Sequence, residues 1–251
     1  MPLTEVVLLL NASRCTRGDG MGAEFRFVAV AGRVFASYGD LSLESRFVPL
    51  LDFRSGEVRG HEGVLAATRA GSPGAVAPGE VYARPTRGAG VVQLDRLIRT
   101  LHALNYLLQP QRGMLLVGVH PGAAGAPDWG LACDDILAPC RLLPQRLVLE
   151  IGSEPMGRQS RRAQRHSRAR GYGIAVSLAG AGQGRGRLRE LRPDLVKVPY
   201  PEAVGELPPH HLVGSPRDLA IGEAATGFRQ RSAGGWRAPV NWPIPFCPCR
   251  C

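Results

Sequence analysis

Four short and mostly apolar runs, separated by segments long enough to form helices, constrain the fold of this chain most strongly. They are residues Met114–Val119, Arg146–Ile151, Gly173–Leu178 and Leu195–Pro199. A strand that is covered on both faces has such a composition, and two parallel strands need a helical crossover between them. The spacing therefore predicts right-handed βαβ units and an α/β fold built on a parallel sheet.

The N-terminal part of the chain has a different pattern. Apolar residues at spacings of three and four over Leu94–Leu107 predict an amphipathic helix that ends near Pro110. The Gly-, Pro- and Ala-rich residues 70–90 predict a loop. Upstream of that loop, four strands are predicted at Phe25–Ala31, Arg33–Tyr38, Ser45–Phe53 and Val58–Leu65. Further helices are predicted at Cys133–Pro139, 158–170 and Leu188–Leu191.

Composition excludes several classes of protein. The 251 residues include 44% hydrophobic and 21% charged residues, which argues against a disordered chain. Glycine and proline make up about a fifth of the chain without a repeating period, which excludes collagen and predicts many loops. No apolar run approaches ~18 residues, so no membrane span is expected.

The net charge of +10 comes almost entirely from arginine, because Lys197 is the only lysine. Guanidinium groups bind phosphate bidentately through their planar fork, so this charge is compatible with a phosphate ligand. Lys197 also interrupts the apolar run of its strand, so its ammonium needs a carboxylate partner, for which Glu150 is the expected residue. Six cysteines and an N-terminal segment that makes a poor signal peptide favour a cytoplasmic location.

Five ordered segments resemble the EAL domain, the bacterial phosphodiesterase family that opens the second messenger cyclic di-GMP. Residues Arg46–Leu65 are similar to the family's opening, where a Gln-Pro-Ile strand leads to Gly-Tyr-Glu-Ala-Leu-Leu-Arg. The other segments resemble the family's Phe-Val-Asn-Val-Ser-Pro, Leu-Glu-Ile-Thr-Glu, Ile-Ala-Leu-Asp-Asp-Phe and Pro-Asp-x-Leu-Lys-Ile-Asp motifs. They lie at Leu116–Pro121, Leu143–Glu154, Gly173–Gly182 and Arg192–Pro199.

The resemblance implies a TIM-like (β/α) barrel of EAL type, incomplete or irregular at its C-terminal end. On this basis residues 41–200 form the EAL-like barrel domain. Residues 1–40 are expected to be an N-terminal extension with short strands, and residues 201–251 a divergent tail that contains proline, tryptophan and cysteine.

The resemblance also implies a site, because the family hydrolyses a phosphodiester with the help of two divalent cations. Glu62 and Glu150 stand where the family has metal-binding glutamates, and Lys197 stands at its active-site lysine. We therefore expect Glu62 and Glu150 as remnant metal ligands and Lys197 as a remnant catalytic residue. Other family positions have lost their polar groups: Gly118 replaces asparagine, Ser177 and Leu178 an aspartate pair, Pro199 an aspartate, Val48 a glutamine and Ala66 an arginine.

These losses predict a degenerate, catalytically inactive EAL-type domain that acts as a ligand-sensing or protein-binding regulator in cyclic di-GMP signalling. No cofactor is expected, and Mg²⁺ or Mn²⁺ would be needed only for residual activity. The expected partners are cyclic di-GMP, bound weakly, and a regulatory protein, with no specific nucleic acid. Two alternatives stay open: a residual metal-dependent phosphodiesterase that hydrolyses cyclic di-GMP to linear pGpG through Glu62, Glu150 and Lys197, and a decayed gene product.

The remaining motifs are more typical of structure than of chemistry. The six arginines of residues 158–170 lack interleaved aromatic residues and indicate a solvated helix face. The Gly-rich residues 180–186 fit neither dinucleotide-binding nor P-loop spacing. The three cysteines of Cys247–Cys251 lack a second cluster of metal ligands.

Overall fold

The computed structural model describes part of the chain in detail. The described residues are 2–13, 16, 23–52, 55, 57–108, 113–123, 126, 144–151, 164–165, 167–177, 188, 192–198 and 211–214. Among them no helix combines the length and the apolarity that crossing a membrane requires.

The described elements include both helices and strands, as expected for an α/β fold. The α-helices whose bounds are described are α1 (Leu3–Ala12), α2 (Pro78–Tyr82) and α3 (Gly88–Leu107). The strands are β1 (Phe25–Val30), β2 (Arg33–Tyr38), β3 (Leu41–Asp52), β4 (Val58–Arg69), β5 (Ser72–Val76), β6 (Met114–Gly118), β7 (Leu147–Ile151), β8 (Gly173–Ser177), β9 (Leu195–Lys197) and β10 (His211–Gly214).

The strands form one sheet whose pairings close on themselves. Strands β4, β6, β7, β8, β9 and β10 run parallel in that order. Strand β3 is antiparallel and pairs with β4 on one side and β10 on the other, which joins the two ends of the parallel series. We call this circuit of β3, β4 and β6 to β10 the ring. Closing a sheet in this way removes unpaired strand edges.

The two sides of the sheet carry different cores. The inner side of the ring is packed by a small apolar cluster, which consists of Leu50, Leu116, Val148, Ala175 and Leu195. The outer side belongs to a larger cluster, in which residues of β6, β7 and β8 pack with α3. Because side chains alternate between the two faces of a strand, the register fixes which residues point into the ring.

Strands β1, β2 and β5 and the distal halves of β3 and β4 extend beyond the ring, and we call this part the platform. The two long strands β3 and β4 run through both parts. Two asparagines hold helices against the platform by bonding both the N–H and the C=O of one strand residue. Asn11 of α1 brackets Phe27 of β1, and Asn105 of α3 brackets Val34 of β2. Each amide thereby forms the two backbone hydrogen bonds that a neighbouring strand would otherwise form.

Several predictions of secondary structure are confirmed. Strand β2 has its predicted bounds, and the buried strands β6 to β9 match their predicted positions within one or two residues. The amphipathic helix is α3, which begins six residues earlier than predicted, at Gly88. The predicted helix Cys133–Pro139 lies outside the described residues, and so does Leu188–Leu191 apart from its first residue. Of the helix predicted at 158–170, the described residues 164–165 and 167–169 are helical.

The prediction of a loop over residues 70–90 is wrong. Strand β5 and helix α2 occupy about half of this segment, and α3 begins within it. Among the described strands, β5 pairs with β4 alone, so it lies at an edge of the sheet, where a proline is tolerated. Pro78 begins α2, a position at which the missing N–H costs no helical hydrogen bond. Helix α1 and strand β10 were not predicted either.

Candidate functional site

A polar layer lies directly above the apolar cluster inside the ring. Gly118, Glu150, Ser177 and Lys197 each lie two residues further along a strand than a member of that cluster, so they point to the same inner side. Glu62 belongs to the inner side as well, since it pairs with Leu116. Gly118, Ser177 and Lys197 are the last residues of their strands, and Glu150 is the last but one of β7. Glu62 lies in the middle of the longer strand β4, near the end of the segment that pairs with β6. Barrels of this class place their sites at the carboxyl ends of parallel strands.

Within this layer the structure brings the three predicted site residues together. The Lys197 ammonium donates a hydrogen bond of 2.8 Å to Oε1 of Glu62. The same ammonium lies 3.5 Å from Oε2 of Glu150. The three side chains are 11–18% exposed. The ammonium is therefore shared by two carboxylates, and Glu62 is its nearer partner rather than the expected Glu150.

The protonation of Glu150 is affected by the burial of its side chain. Burial raises the pKa of this carboxyl group above its ordinary value, and the negative charge of Glu62 acts in the same direction. The Lys197 ammonium and a hydrogen bond with Ser177 lower the pKa but do not cancel the effect of burial. A carboxyl that resists ionisation is a poorer cation ligand than a solvated carboxylate.

The neighbouring positions of the layer supply little further oxygen. Gly118 pairs with Glu150 in the β6–β7 ladder, and a Cβ built on it would meet no atom of the described residues within 4 Å. Ser177, which pairs with Lys197, contributes one hydroxyl group and uses it on Glu150. Open space at Gly118 and one hydroxyl at Ser177 thus stand where the family has an asparagine and an aspartate.

This donor set does not fit the two divalent cations that the resemblance implies. Mg²⁺ and Mn²⁺ bind about six oxygen ligands, with carboxylates prominent among them. In the described part of the chain, no three His, Cys, Asp or Glu side chains converge on a metal-binding position. An ammonium already neutralises part of the charge of Glu62 and Glu150. The described residues therefore provide an ion-pair cluster of two carboxylates and one ammonium, and not a two-metal centre.

Helix α3 supports Glu62 from behind the sheet. The next residue, Gly63, packs against the ring of His102, and a Cβ at this glycine would lie 2.9 Å from Cγ of the histidine. Nδ1 of His102 lies 2.8 Å from the Ser45 hydroxyl group of β3. Burial lowers the pKa of His102 to about 4, so the ring is neutral at physiological pH. Close packing at a glycine thus fixes the strand that carries Glu62.

A second polar cluster, centred on Asp95 of α3, supports the segment that follows β6. Oδ1 of Asp95 accepts hydrogen bonds from the Tyr82 hydroxyl and from the backbone N–H of His120, each 3.1 Å long. Its Oδ2 lies 2.9 Å from Nη2 of Arg99, and both side chains are fully buried. The Tyr82 ring stacks on the His120 imidazole with centroids 4.5 Å apart. This cluster anchors the chain two residues after Gly118.

Sequence reasoning missed this second cluster, although a signal was present. Asp95, Arg99 and His102 are spaced by four and three residues, which places them on one face of a helix. That face is also the apolar face of α3, and charged residues there must be paired. Of the other predicted site positions, Val48 pairs directly with Glu62, and Leu178 and Pro199 lie outside the described residues.

Comparison with known proteins identifies the fold. No family model and no curated protein matches this sequence. Among solved structures, a calcium and cyclic di-GMP complex of BlrP1 from Klebsiella pneumoniae matches 88% of this chain and 54% of its own, with a TM-score of 0.52 and 14% identity. The EAL domain of FimX from Xanthomonas citri, in complex with cyclic di-GMP, matches 62% of this chain and 63% of its own, with a TM-score of 0.51 and 16% identity.

This chain has the EAL-domain fold. The predicted α/β class and the resemblance to EAL domains are thereby confirmed. The chain spans less than two thirds of the length of both matched structures. Within the EAL fold, the inner side of the ring at the carboxyl ends of its strands is the place where Glu62, Glu150 and Lys197 meet.

Proposed function

We propose that this chain is a non-hydrolytic EAL-type module of cyclic di-GMP signalling. Two solved EAL structures of the same fold are complexes with cyclic di-GMP, which supports that ligand class. The observation that carries the proposal is the ion-pair cluster, in which Lys197 contacts both Glu62 and Glu150. The module then acts by binding, either as a sensor of cyclic di-GMP or as a docking partner of a regulatory protein.

The physical argument against hydrolysis rests on charge. A two-metal reaction gains most of its rate from cations that stabilise the developing negative charge and generate hydroxide. Those cations need a dense set of carboxylate ligands, whereas the described residues of this layer offer two glutamates, one of them with a raised pKa. The Lys197 ammonium remains at the site as a fixed cation, and the two glutamates share it.

The test combines a turnover assay with a binding assay on the purified protein. Cyclic di-GMP is incubated with Mg²⁺ or Mn²⁺, and linear pGpG is measured by chromatography. We expect no conversion above the buffer control, together with saturable, metal-independent binding of cyclic di-GMP in a calorimetric titration. Turnover that is abolished in Glu62→Gln would overturn the non-hydrolytic function, and the absence of any binding would overturn the sensor function.

A residual metal-dependent phosphodiesterase is the second candidate. The observation that favours it is that Glu62 and Glu150 still lie together at one ammonium, beside a strand pair in which a Cβ built at Gly118 would meet no described atom within 4 Å. This candidate requires stoichiometric divalent-cation binding. A protein that stays metal-free after reconstitution with Mn²⁺ and desalting excludes it.

A further inference from the structure

The inner side of the sheet does not end at Glu62 but continues onto the platform. Along the β3–β4 ladder, Val48 pairs with Glu62 and Arg46 pairs with Val64. Because alternate residues share a face, Arg46 and Val64 lie on the same side of the sheet as Glu62. Diagonal neighbours of this kind are about 7–8 Å apart, which a long side chain can span. Among the described residues of the β3–β4 ladder, Arg46 is thus the first cation beyond the ion-pair cluster on this side.

Short side chains leave the sheet open between Arg46 and the cluster. Val64 and Val48 are only partly buried, and so is Ala66, the next residue on this side of β4. The Arg46 side chain is 70% exposed, whereas the three side chains of the cluster are at most 18% exposed. A ligand that enters the ring along this surface therefore meets the guanidinium first.

The arginine is held in place and keeps an excess of positive charge. Its Nε and Nη2 each donate a 3.2 Å hydrogen bond to Oε1 of Glu44, two residues earlier on the same side of β3. Arg33 of β2 lies 3.9 Å from the other carboxylate oxygen of Glu44. Two guanidinium groups thus share one carboxylate, which leaves one net positive charge on this patch. A guanidinium has five N–H donors, so Arg46 retains capacity for a further acceptor.

We infer that Arg46 binds a phosphate group of the ligand at the rim of the ring. The inference rests on the proposed function, since it assigns a specificity-determining residue to the same site. Glu62 and Glu150 repel an anion, and Lys197 balances only part of their charge. A phosphodiester ligand is therefore held with one phosphate against Arg46 and the remainder over Val64, towards the ring. Charge-assisted, bidentate bonds of this type are among the strongest in proteins.

The test is a calorimetric titration of cyclic di-GMP into wild-type protein, Arg46→Ala and Arg46→Lys, repeated at two salt concentrations. We expect Arg46→Ala to raise the Kd at least tenfold and to weaken its salt dependence, because one phosphate contact is lost. The Kd of Arg46→Lys should lie between those of the wild type and Arg46→Ala, since lysine keeps the positive charge but lacks the planar, bidentate guanidinium group. The matched control is Arg26→Ala, an exposed arginine of β1 that pairs with Ser37 on the same side of the platform, which should bind like the wild type.

The possible results separate this inference from the proposed function. If wild-type protein binds cyclic di-GMP and Arg46→Ala binds it equally well, the role of Arg46 is overturned and the proposed function stands. If the wild type does not bind cyclic di-GMP, the sensor function is overturned, and a titration with inorganic pyrophosphate decides the inference. Pyrophosphate binding that Arg46→Ala weakens would support a phosphate site at Arg46, and binding that is absent or unchanged would overturn it. Thermal unfolding of each variant confirms that the exposed substitution leaves the fold intact.

Discussion

Two clusters of carboxylates and cations on opposite sides of the sheet differ in how completely they are enclosed. On the outer side, Asp95 and Arg99 are fully buried, and Asp95 also accepts bonds from Tyr82 and His120. On the inner side, Lys197 and its two glutamates keep 11–18% of their surface exposed. The first cluster has no room for a ligand, whereas the second lies beside the open space at Gly118.

The fully buried cluster around Asp95 is therefore structural, whereas the partly exposed cluster around Lys197 is available for ligand binding. Removing one partner of a fully buried ion pair leaves the other charge buried and unpaired, so the substitution lowers the stability of the fold. A partly exposed ion pair contributes less to stability, because water already solvates its members. Substitutions in the two clusters should therefore separate stability from ligand binding.

The largest expected effect is on the buried cluster. Asp95→Ala leaves the Arg99 charge unpaired in the core and frees the N–H of His120, so we expect a loss of about 3–5 kcal/mol in the free energy of unfolding. Urea denaturation measures this loss. The control is Asp40→Ala, which removes the carboxylate partner of Arg84 from an exposed ion pair and should leave the midpoint nearly unchanged. Equal losses in the two variants would contradict the comparison.

A smaller effect is expected from acid, through the histidine that supports Glu62. The pKa of His102 is about 4 in the folded protein, against an ordinary value of 6.5. Below pH 6.5 the unfolded chain takes up a proton that the folded state refuses, so stability falls as the pH is lowered from 6.5 towards 4. The full difference between the two pKa values corresponds to about 3 kcal/mol in the free energy of unfolding. Urea denaturation between pH 6.5 and pH 4 should show this fall in the free energy of unfolding for the wild-type protein and a much smaller fall for His102→Gln. Identical pH profiles for the two proteins would contradict the role of His102.

The smallest expected effect on stability is at the inner cluster. Lys197→Met leaves Glu62 and Glu150 facing each other without the shared ammonium, and we expect a loss of about 1–2 kcal/mol at neutral pH. The loss should shrink at acidic pH, where protonation relieves the repulsion between the carboxyl groups. Denaturant unfolding at two pH values checks both statements. A loss as large as that of Asp95→Ala would remove the distinction between the two clusters.

Much of the ring could be predicted from the sequence because its strands are continuously apolar. Strands β6 to β9 are buried on both faces, and composition alone marks such segments. The meeting of Glu62, Glu150 and Lys197 was predicted from the resemblance to EAL domains together with the need of a buried ammonium for a carboxylate.

The parts that escaped prediction depend on contacts between distant segments. Strand β5 contains glycine and proline and exists because it pairs with the edge of β4. Helix α1 is bound to the sheet by Asn11, which bonds the backbone of Phe27 sixteen residues later. The role of Arg46 depends on the register between β3 and β4, and a one-residue shift would place it on the opposite side. None of these relations is visible in local periodicity.

The central claim is that the polar layer of the ring is an ion-pair cluster rather than a metal centre. The most direct measurement is a calorimetric titration of Mn²⁺ into wild-type protein and into a double variant, Gly118→Asn with Ser177→Asp, which restores two oxygen ligands in open space and beside Glu150. Gly118→Ala serves as the control for added volume. We expect no saturable Mn²⁺ binding by the wild type or the control, and measurable Mn²⁺ binding by the double variant. Stoichiometric Mn²⁺ binding by the wild type that is lost in Glu62→Gln would contradict it.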